Sequence, residues 1–357
     1  MANTHLFQPL TLRSVTLRNR IGVSPMCQYS CDDGFPNDWH FIHLGSRAIG
    51  GAGLVMVEAT AVTADGRISP GDAGIWKDEQ TDAWRRIAKV IAQYGAVPAM
   101  QLAHAGWKAS TAAPWLGGME AAKDQGGWQP VGVGSTPFTE GYPTPRQLKE
   151  SDLDELCESW KSAAQRAVAA GFKLIEMHAA HGYLTHSFLS PISNKRTDQY
   201  GGSFENRTRL ALRIAETLRK AIPQELPLAA RLSCTDWIEG GWTLHDSVKL
   251  SAMLRDRGVD LIDCSSGGIS ATVKIPVGPG YQTEFAATIR REALIPSAAV
   301  GMITEAQQAE TILRTGQADL VFLAREMLRD PYWPRTAAHA LGEKQSNFTP
   351  VQYGRGW

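Results

Sequence analysis

Three observations in the sequence predict an α/β protein built as a (β/α)8 barrel. Eight short apolar runs recur along the 357 residues, at 21–26, 54–59, 96–102, 172–177, 227–232, 259–264, 298–302 and 318–324. Most are followed by a segment of helical spacing with a start signal, the alternation expected of a barrel or a doubly wound sheet. The first run leads into no G-x-G-x-x-G, which the dinucleotide-binding open sheet requires. With 43% hydrophobic and 20% charged residues the chain can bury a large core, and no composition break divides 1–357 into separate domains.

Taken in order, 7–20 alternates apolar and polar residues around Arg13 and Ser14, the pattern of a β-hairpin that plugs one end of the barrel. In 39–49, Trp39, Ile42, His43 and Ser46 fall on one helical face, and Gly50, Gly51 and Gly53 end the helix before the second run. In 83–94, Trp84, Ile87, Val90 and Ile91 form one apolar face ahead of the third. Residues 107–146 are rich in Gly, Pro and Trp and hold no period, which reads as a lid or binding loop. Ser151 with Asp154 is a capping-box pattern for a helix that runs to Ala170. Further helices are expected over 206–221, from Thr243 with Asp246 to Asp256, from Thr304 with Gln307, and over 330–341. Residues 342–357 form a tail carrying Tyr353, Arg355 and Trp357, a heavy load for a disordered end.

Lys plus Arg and Asp plus Glu both number 36, so no global field recommends nucleic acid or an anionic membrane as partner. Cys27, Cys31, Cys157, Cys234 and Cys264 form no C-x-x-C pair and read as free thiols of a reducing compartment. No run of about 18 apolar residues and no signal-like amino terminus occur, so the expected location is the cytoplasm.

Chemistry concentrates where the runs end. The fourth run enters His178, His181, Tyr183 and His186. Two neutral imidazoles three residues apart can direct N–H groups at one oxygen while a phenol supplies a proton beside it; the alternative is a structural histidine pair. In a barrel the other strand ends converge on the same face. Cys27 is there either a small buried hydrophobe or a polarizable thiol that tunes a cofactor. Gln101 caps a loop or presents donor and acceptor to a flat heterocycle. Arg231 needs an anionic partner, found either in a barrel carboxylate or in a ligand that develops negative charge. The loops after runs seven and eight, at Gly301–Met302 and Ala324–Arg325, occupy the usual phosphate position of barrels. Arg325 serves there as a bidentate partner, or pairs outward with Glu326 or Asp330. These residues describe a phosphate-bearing flat cofactor with two histidines above it.

SPMCQYS at 24–30, QLAHAG at 101–106, HAAHGYLTHSFLSPISNKRTDQYGGSFENR at 178–207, RLS at 231–233 and LAREMLRDPYW at 323–333 together resemble the Old Yellow Enzyme family of FMN-dependent ene-reductases. Cys27 with Tyr29, the short loops and the ending QYGRGW resemble its YqjM-like, or thermophilic-like, branch and the xenobiotic reductases. The resemblance covers essentially the whole chain. It implies non-covalently bound FMN, reduced by NADPH or NADH, and a small enone or related substrate whose C=C bond is reduced; nitro compounds fit the same donors. Carried over by position, Ser24, Pro25, Met26, Cys27, Ala61, Gln101, Arg231, Ala324 and Arg325 are flavin contacts. Tyr29, His178, His181 and Tyr183 are substrate contacts, with Tyr183 the proton donor. Arg355 is implied to reach a neighbouring subunit's active site, which makes a homodimer or a tetramer of dimers. A 2,4-dienoyl-CoA-reductase-like flavin barrel would add clustered thiolates for an iron–sulfur centre, and the cysteine spacing supplies none. A metal-dependent barrel hydrolase would need carboxylates to complete the ligand set of His178 and His181, so no metal is expected.

Overall fold

The computed structural model describes residues 4–344 and 349–356, and it closes the eight predicted runs into one parallel barrel. A hairpin of β1 (Leu10–Leu12) and β2 (Val15–Leu17) comes first, paired Leu10 to Leu17. The barrel strands are β3 (Ile21–Val23), β4 (Leu54–Ala61), β5 (Val97–Ala103), β8 (Leu174–Ala179), β9 (Leu228–Ser233), β10 (Leu261–Ser265), β11 (Ser297–Val300) and β12 (Leu320–Leu323), with β12 returning to pair with β3. Around them lie α1 (Asp38–Ile49), α2 (Glu79–Gln93), α3 (Glu150–Ala170), α5 (Phe204–Ala221), α6 (Leu244–Arg255), α7 (Thr283–Glu292), α8 (Ala306–Arg314) and α10 (Trp333–Ala340). Leu12 and Leu17 of the hairpin pack against Leu54, Met56, Leu174 and Phe322 inside the barrel, so the hairpin is the expected plug. Gly22 on β3 leaves room for that packing: a Cβ there would lie 2.6 Å from the Phe322 ring.

Several local expectations change. The α1 face is inverted: Trp39 and Ile42 are 55% and 67% exposed, while His40, His43, Leu44, Arg47 and Ala48 face inward. Polar residues go inside because they find partners there. His40 Nε2 stands 3.1 Å from Glu58, and the Arg47 guanidinium donates to the Met327 carbonyl at 2.9 Å. The α3 start lies at Glu150, where the Asp152 carboxylate accepts the Lys149 N–H, so Ser151 and Asp154 are not its capping pair. Thr243 and Asp246 do form a reciprocal cap on α6. At α8 the Thr304 N–H donates to Gln308, not Gln307, and Glu305 is the residue before the helix. The expected strands at 21–26 and 298–302 end early, at Val23 and Val300, where Ser24 and Gly301 open the following loops, and the one at 318–324 is confined to Leu320–Leu323. Helices α4 (Leu184–Leu189), α7 and α9 (Arg325–Arg329) went unpredicted; none has a side-chain N-cap hydrogen bond, the signal by which helix starts are read. Within 107–146 the chain forms three single 3₁₀ turns and the two-residue strand β6 (Val131–Gly132), paired with β7 (Arg146–Gln147) at its edge.

Candidate active site

Alternation along the strands decides which side chains enter the barrel. Above the apolar layer of Ala99, Leu174, Ala229 and Leu261, a step of two residues brings in Gln101, Glu176, Arg231 and Asp263. Gln101 is in register with Glu176, and Arg231 with Asp263. Another step puts His178, Ser233 and Ser265 at the strand ends. One polar layer thus supports another.

In the lower polar layer, Gln101 Nε2 donates to Glu176 Oε1 at 2.8 Å and Arg231 Nε lies 3.0 Å from Asp263 Oδ2. Burial, reinforced by the Asp263 charge, pushes the Glu176 carboxyl up to about 8, and burial pushes Asp263 up to about 6 against the pull of Arg231. At neutral pH Glu176 therefore keeps its proton and Arg231 has one carboxylate partner. The barrel-carboxylate reading of Arg231 holds in Asp263, and Arg231 also lines a cavity of about 290 Å³ with Ser265, Tyr281, Gln282, Gly301, Met302, Ala324, Arg325 and Arg329. Glu326 pairs with Arg329, not with Arg325. Gly301 has φ +127°, and a Cβ there would fall 2.9 Å from Gln282 Nε2 and 3.0 Å from the Tyr281 ring. Met302 follows at φ +50°. Ser24 Oγ is buried with no protein partner. Three guanidinium groups, a glycine-floored loop and an orphaned hydroxyl fit a phosphate-bearing flat cofactor.

Beside this cavity, linked to it through Ser265 and Arg231, stand the residues after β8. The Ala180 N–H donates to His178 Nδ1 at 3.2 Å, which leaves the ring proton on Nε2. His181 Nε2 lies 2.7 Å from Ser265 Oγ, which leaves Nδ1 for another partner. The His178 and His181 ring centroids are 5.1 Å apart at 87°, and those of His178 and Tyr183 5.0 Å apart at 90°. Burial, then the Arg231 charge, holds both imidazoles well below their usual range, so they are neutral donors. Burial, then Cys27 and Tyr29, pushes the Tyr183 phenol well up, so it keeps its proton. Tyr29, Ile68, Lys108, Met119, Tyr142 and Tyr183 line an adjoining opening of about 430 Å³, much of it walled by residues 107–146. Cys27 is partly buried near Glu58 and Asp72, and burial and Asp72 raise its thiol well above the usual range.

The turn that carries these groups is held from three sides. His181 adopts φ +60°, unusual for a side chain of its size. Gly182, at φ +75°, has no room for a Cβ, which would meet the Gly268 carbonyl at 2.2 Å. Lys108 Nζ donates to the His181 and Gly268 carbonyls at 2.8 and 2.7 Å, and Trp107 Nε1 donates to the Gly182 carbonyl at 2.6 Å. From beneath, His186 Nδ1 accepts the Gly182 N–H at 2.8 Å and its Nε2 lies 3.0 Å from Asp236 Oδ1. Asp236 Oδ2 in turn accepts from Ser190 Oγ at 2.6 Å and from the Trp242 N–H at 2.7 Å. His186, grouped by the sequence with the chemical residues, is a fully buried strut.

Sequence reasoning missed Lys108, Ser265, Asp236, Glu176 and Asp263. Glu176 and Asp263 carried a signal, a carboxylate at an inward position of an otherwise apolar strand. Ala61 ends β4, and Pro25 and Met26 follow β3, at the carboxyl ends of their strands. Arg355 is exposed on its own chain and lines none of the cavities described above. Tyr353 of the same tail lies against Tyr332 on the outside of the barrel, and Trp357 falls outside the described residues. No helix among the described residues is long and apolar enough to cross a membrane.

The family model for the NADH:flavin oxidoreductase / NADH oxidase family matches residues 5–344. An NADPH dehydrogenase of Geobacillus sp. (strain WCH70) is 48% identical over 356 residues, covering 99% of each chain. One from Bacillus subtilis (strain 168) is 43% identical over 354 residues, again covering 99% of each. Among solved structures, morphinone reductase superposes with TM-score 0.78 at 28% identity, covering 96% of this chain and 91% of its own. A 2-naphthoyl-CoA reductase superposes with TM-score 0.86 at 26% identity over 95% of this chain, which spans about half (52%) of that protein's length. The chain belongs to the Old Yellow Enzyme family of NADH:flavin oxidoreductases and is an FMN-dependent oxidoreductase that draws electrons from NAD(P)H.

Proposed function

We propose that this enzyme is an ene-reductase that saturates the C=C bond of α,β-unsaturated carbonyls, and that nitro compounds bind through the same donors. The observation that carries the reading is the cluster in which the His181 and Tyr183 rings each stand perpendicular to His178, three neutral groups that keep a donor proton beside a cofactor cavity. Bound FMN supplies the hydride, received from NAD(P)H. Ser24, Pro25, Met26, Cys27, Ala61, Gln101 and Arg231 would hold its ring system, and Gly301, Met302, Ala324 and Arg325 its phosphate. Arg231, charged and paired only with Asp263, favours the electron-rich form of whatever lies against it.

The chain's own part begins with the carbonyl oxygen. His178 Nε2–H and His181 Nδ1–H donate to it, and these bonds strengthen as the oxygen gains charge when hydride reaches Cβ. Tyr183 then gives its O–H proton to Cα. Tyr29 and the 107–146 segment close the other side and exclude water. Lid motion of that segment and a subunit contact of the 342–357 tail belong to the same reading. The exposed Arg355, which lines none of the cavities described above, is free on its own surface to serve a partner's pocket in a homodimer or a tetramer of dimers. Cys27, kept as a thiol, tunes the cofactor and performs no nucleophilic step.

His178→Ala/His181→Ala tests the assignment. The variant keeps FMN and loses phenol binding, with enone reduction down by roughly 3–6 kcal/mol in barrier if two oxyanion-type donors are lost additively. Loss of flavin with intact phenol affinity in the remaining holoenzyme would place the histidines on the cofactor and sink the reading.

A further inference from the structure

Behind Cys27 lies a buried acid that the chemistry above does not use. Asp72 is 1% exposed. Its Oδ2 accepts the Ile68 N–H at 2.7 Å, while Oδ1 has no partner although it is buried. A carboxylate oxygen of Asp72, one of Glu58 and the Cys27 sulfur all lie within 4.8 Å of one another. Both oxygens of Glu58 are engaged: Oε2 accepts the Gln28 N–H at 2.8 Å and Oε1 stands 3.1 Å from His40 Nε2. The His40 proton is on that nitrogen, since Nδ1 accepts the Asn37 N–H. Arg67, a nearby cation that lowers Asp72 by its charge, makes no hydrogen bond to it. Its guanidinium donates to the Ala64 and Pro70 carbonyls and is sandwiched between Trp76 and Trp128, at 5.1 and 4.9 Å. Two carboxyl groups this close in a dry pocket do not both ionise. The remaining ionisable groups around Asp72 are Cys27, Cys31 and Tyr29 after β3, Asp65 on its own loop and Tyr183 after β8. Every one of them is neutral or negative, and burial with the Glu58 charge raises Asp72 to about 8.

Asp72 and Tyr183 both line one cavity of about 10 Å³, room for a single water, together with Ala59, Ala103, Ala105 and Arg67. We propose that Asp72 is a proton donor held in reserve for Tyr183, connected to it by one water in this cavity. The inference rests on the ene-reductase reading, in which Tyr183 protonates Cα. As the Tyr183 O–H bond breaks toward Cα, the phenolic oxygen takes a proton from the water, and the water takes the proton of Asp72 Oδ1. The Asp72 carboxylate, beside Glu58, recovers its proton from solvent after product leaves. No phenolate has to persist in a pocket whose burial and neighbours oppose it.

The test follows the two half-reactions of the holoenzyme by stopped flow, with NADPH and then with cyclohexenone as probes. Asp72→Asn should leave the NADPH half-reaction within about twofold and slow the enone half-reaction by about tenfold or more, the scale of a positioned acid. The wild-type enone rate should fall as pH passes about 8, toward the flat profile of the variant. Tyr183→Phe should be slow, and Asp72→Asn should add little to it. Ala103→Val, which fills the cavity while keeping both Asp72 and Tyr183, should reproduce the selective loss and covers the case of an unstable Asp72→Asn. In the infrared difference spectrum of wild-type minus Asp72→Asn holoenzyme at neutral pH, the carbonyl stretch of one protonated carboxyl should appear, with Glu176 contributing equally to both proteins and cancelling. A slow Tyr183→Phe beside a wild-type Asp72→Asn and Ala103→Val would overturn the relay alone, as would absence of that difference band. A Tyr183→Phe as fast as wild type would overturn the relay and the role of Tyr183 together.

Discussion

Asp236→Ala probes the strut beneath the catalytic turn. The substitution removes the acceptor of Ser190 Oγ–H at 2.6 Å and of the Trp242 N–H at 2.7 Å, and the neighbour of His186 Nε2 at 3.0 Å. His186 and Asp236 are both 0% exposed, so water does not readily replace what is lost. Each buried donor left unmade costs about 1–3 kcal/mol, which puts the destabilisation at roughly 3 kcal/mol or more. The pH dependence has a definite sign. Burial alone would raise the Asp236 carboxyl, but the His186 hydrogen bond and charge, the Ser190 hydroxyl and the Trp242 N–H outweigh it and hold it below its usual range. A carboxyl depressed by folding stabilises the fold above its unfolded pKa and stops doing so as pH falls through the folded one. The gap between wild type and variant should therefore be widest near neutral pH and narrow below about 4. Urea denaturation of the holoenzyme at several pH values measures it. The turn should also loosen, because His186 loses its fixed orientation and with it the grip on the Gly182 N–H, so phenol affinity should fall while FMN stays bound. A gap below about 1 kcal/mol at neutral pH would refute the strut, since that is the range of an ordinary surface change.

Two further outcomes follow from groups elsewhere in the site. Folding raises the Asp72 carboxyl from 3.8 to about 8, so the folded state takes up a proton and its stability falls as pH rises through that window. Asp72→Asn cannot ionise and should gain stability relative to wild type across the window, then hold a constant advantage above it; thermal melts at both ends that show the same difference would contradict a protonated Asp72. If Arg355 serves a partner's pocket, mixing Arg355→Ala subunits with Tyr183→Phe subunits should recover part of the activity through one intact site per heterodimer. Activity that stays at the level of the unmixed variants, with subunit exchange verified, would reject sharing.

The barrel was legible because its signal is redundant. Eight buried strands read as continuous apolar runs, and an error at any one end leaves the count intact. The polar cluster at one end of the barrel was legible for a related reason: a polar side chain in or just after an apolar run must find a partner there, as Gln101 does in Glu176 and Arg231 in Asp263. What stayed hidden depends on pairs distant in sequence. Nothing near Lys108 announces that its ammonium binds the carbonyls of His181 and Gly268, and nothing near His186 announces Asp236, 50 residues later. The α1 face was misread on bulk alone, since Trp39 looks more buriable than Arg47 until the Met327 carbonyl is known to meet the guanidinium. Residue 72 was passed over altogether because a single Asp in a loop carries no signal, and its chemistry arises only where β4, its own loop and the segment after β3 converge.

On this reading one cofactor cavity receives hydride from a nicotinamide and passes it to an enone beneath His178, His181 and Tyr183. An anaerobic titration of the purified holoenzyme tests it most directly. NADPH should bleach the flavin absorbance in equal stoichiometry, and cyclohexenone added afterwards should restore the full spectrum with one saturated ketone formed per flavin. A spectrum that NADPH bleaches but the enone leaves bleached, with no saturated ketone formed, would contradict the proposed reaction.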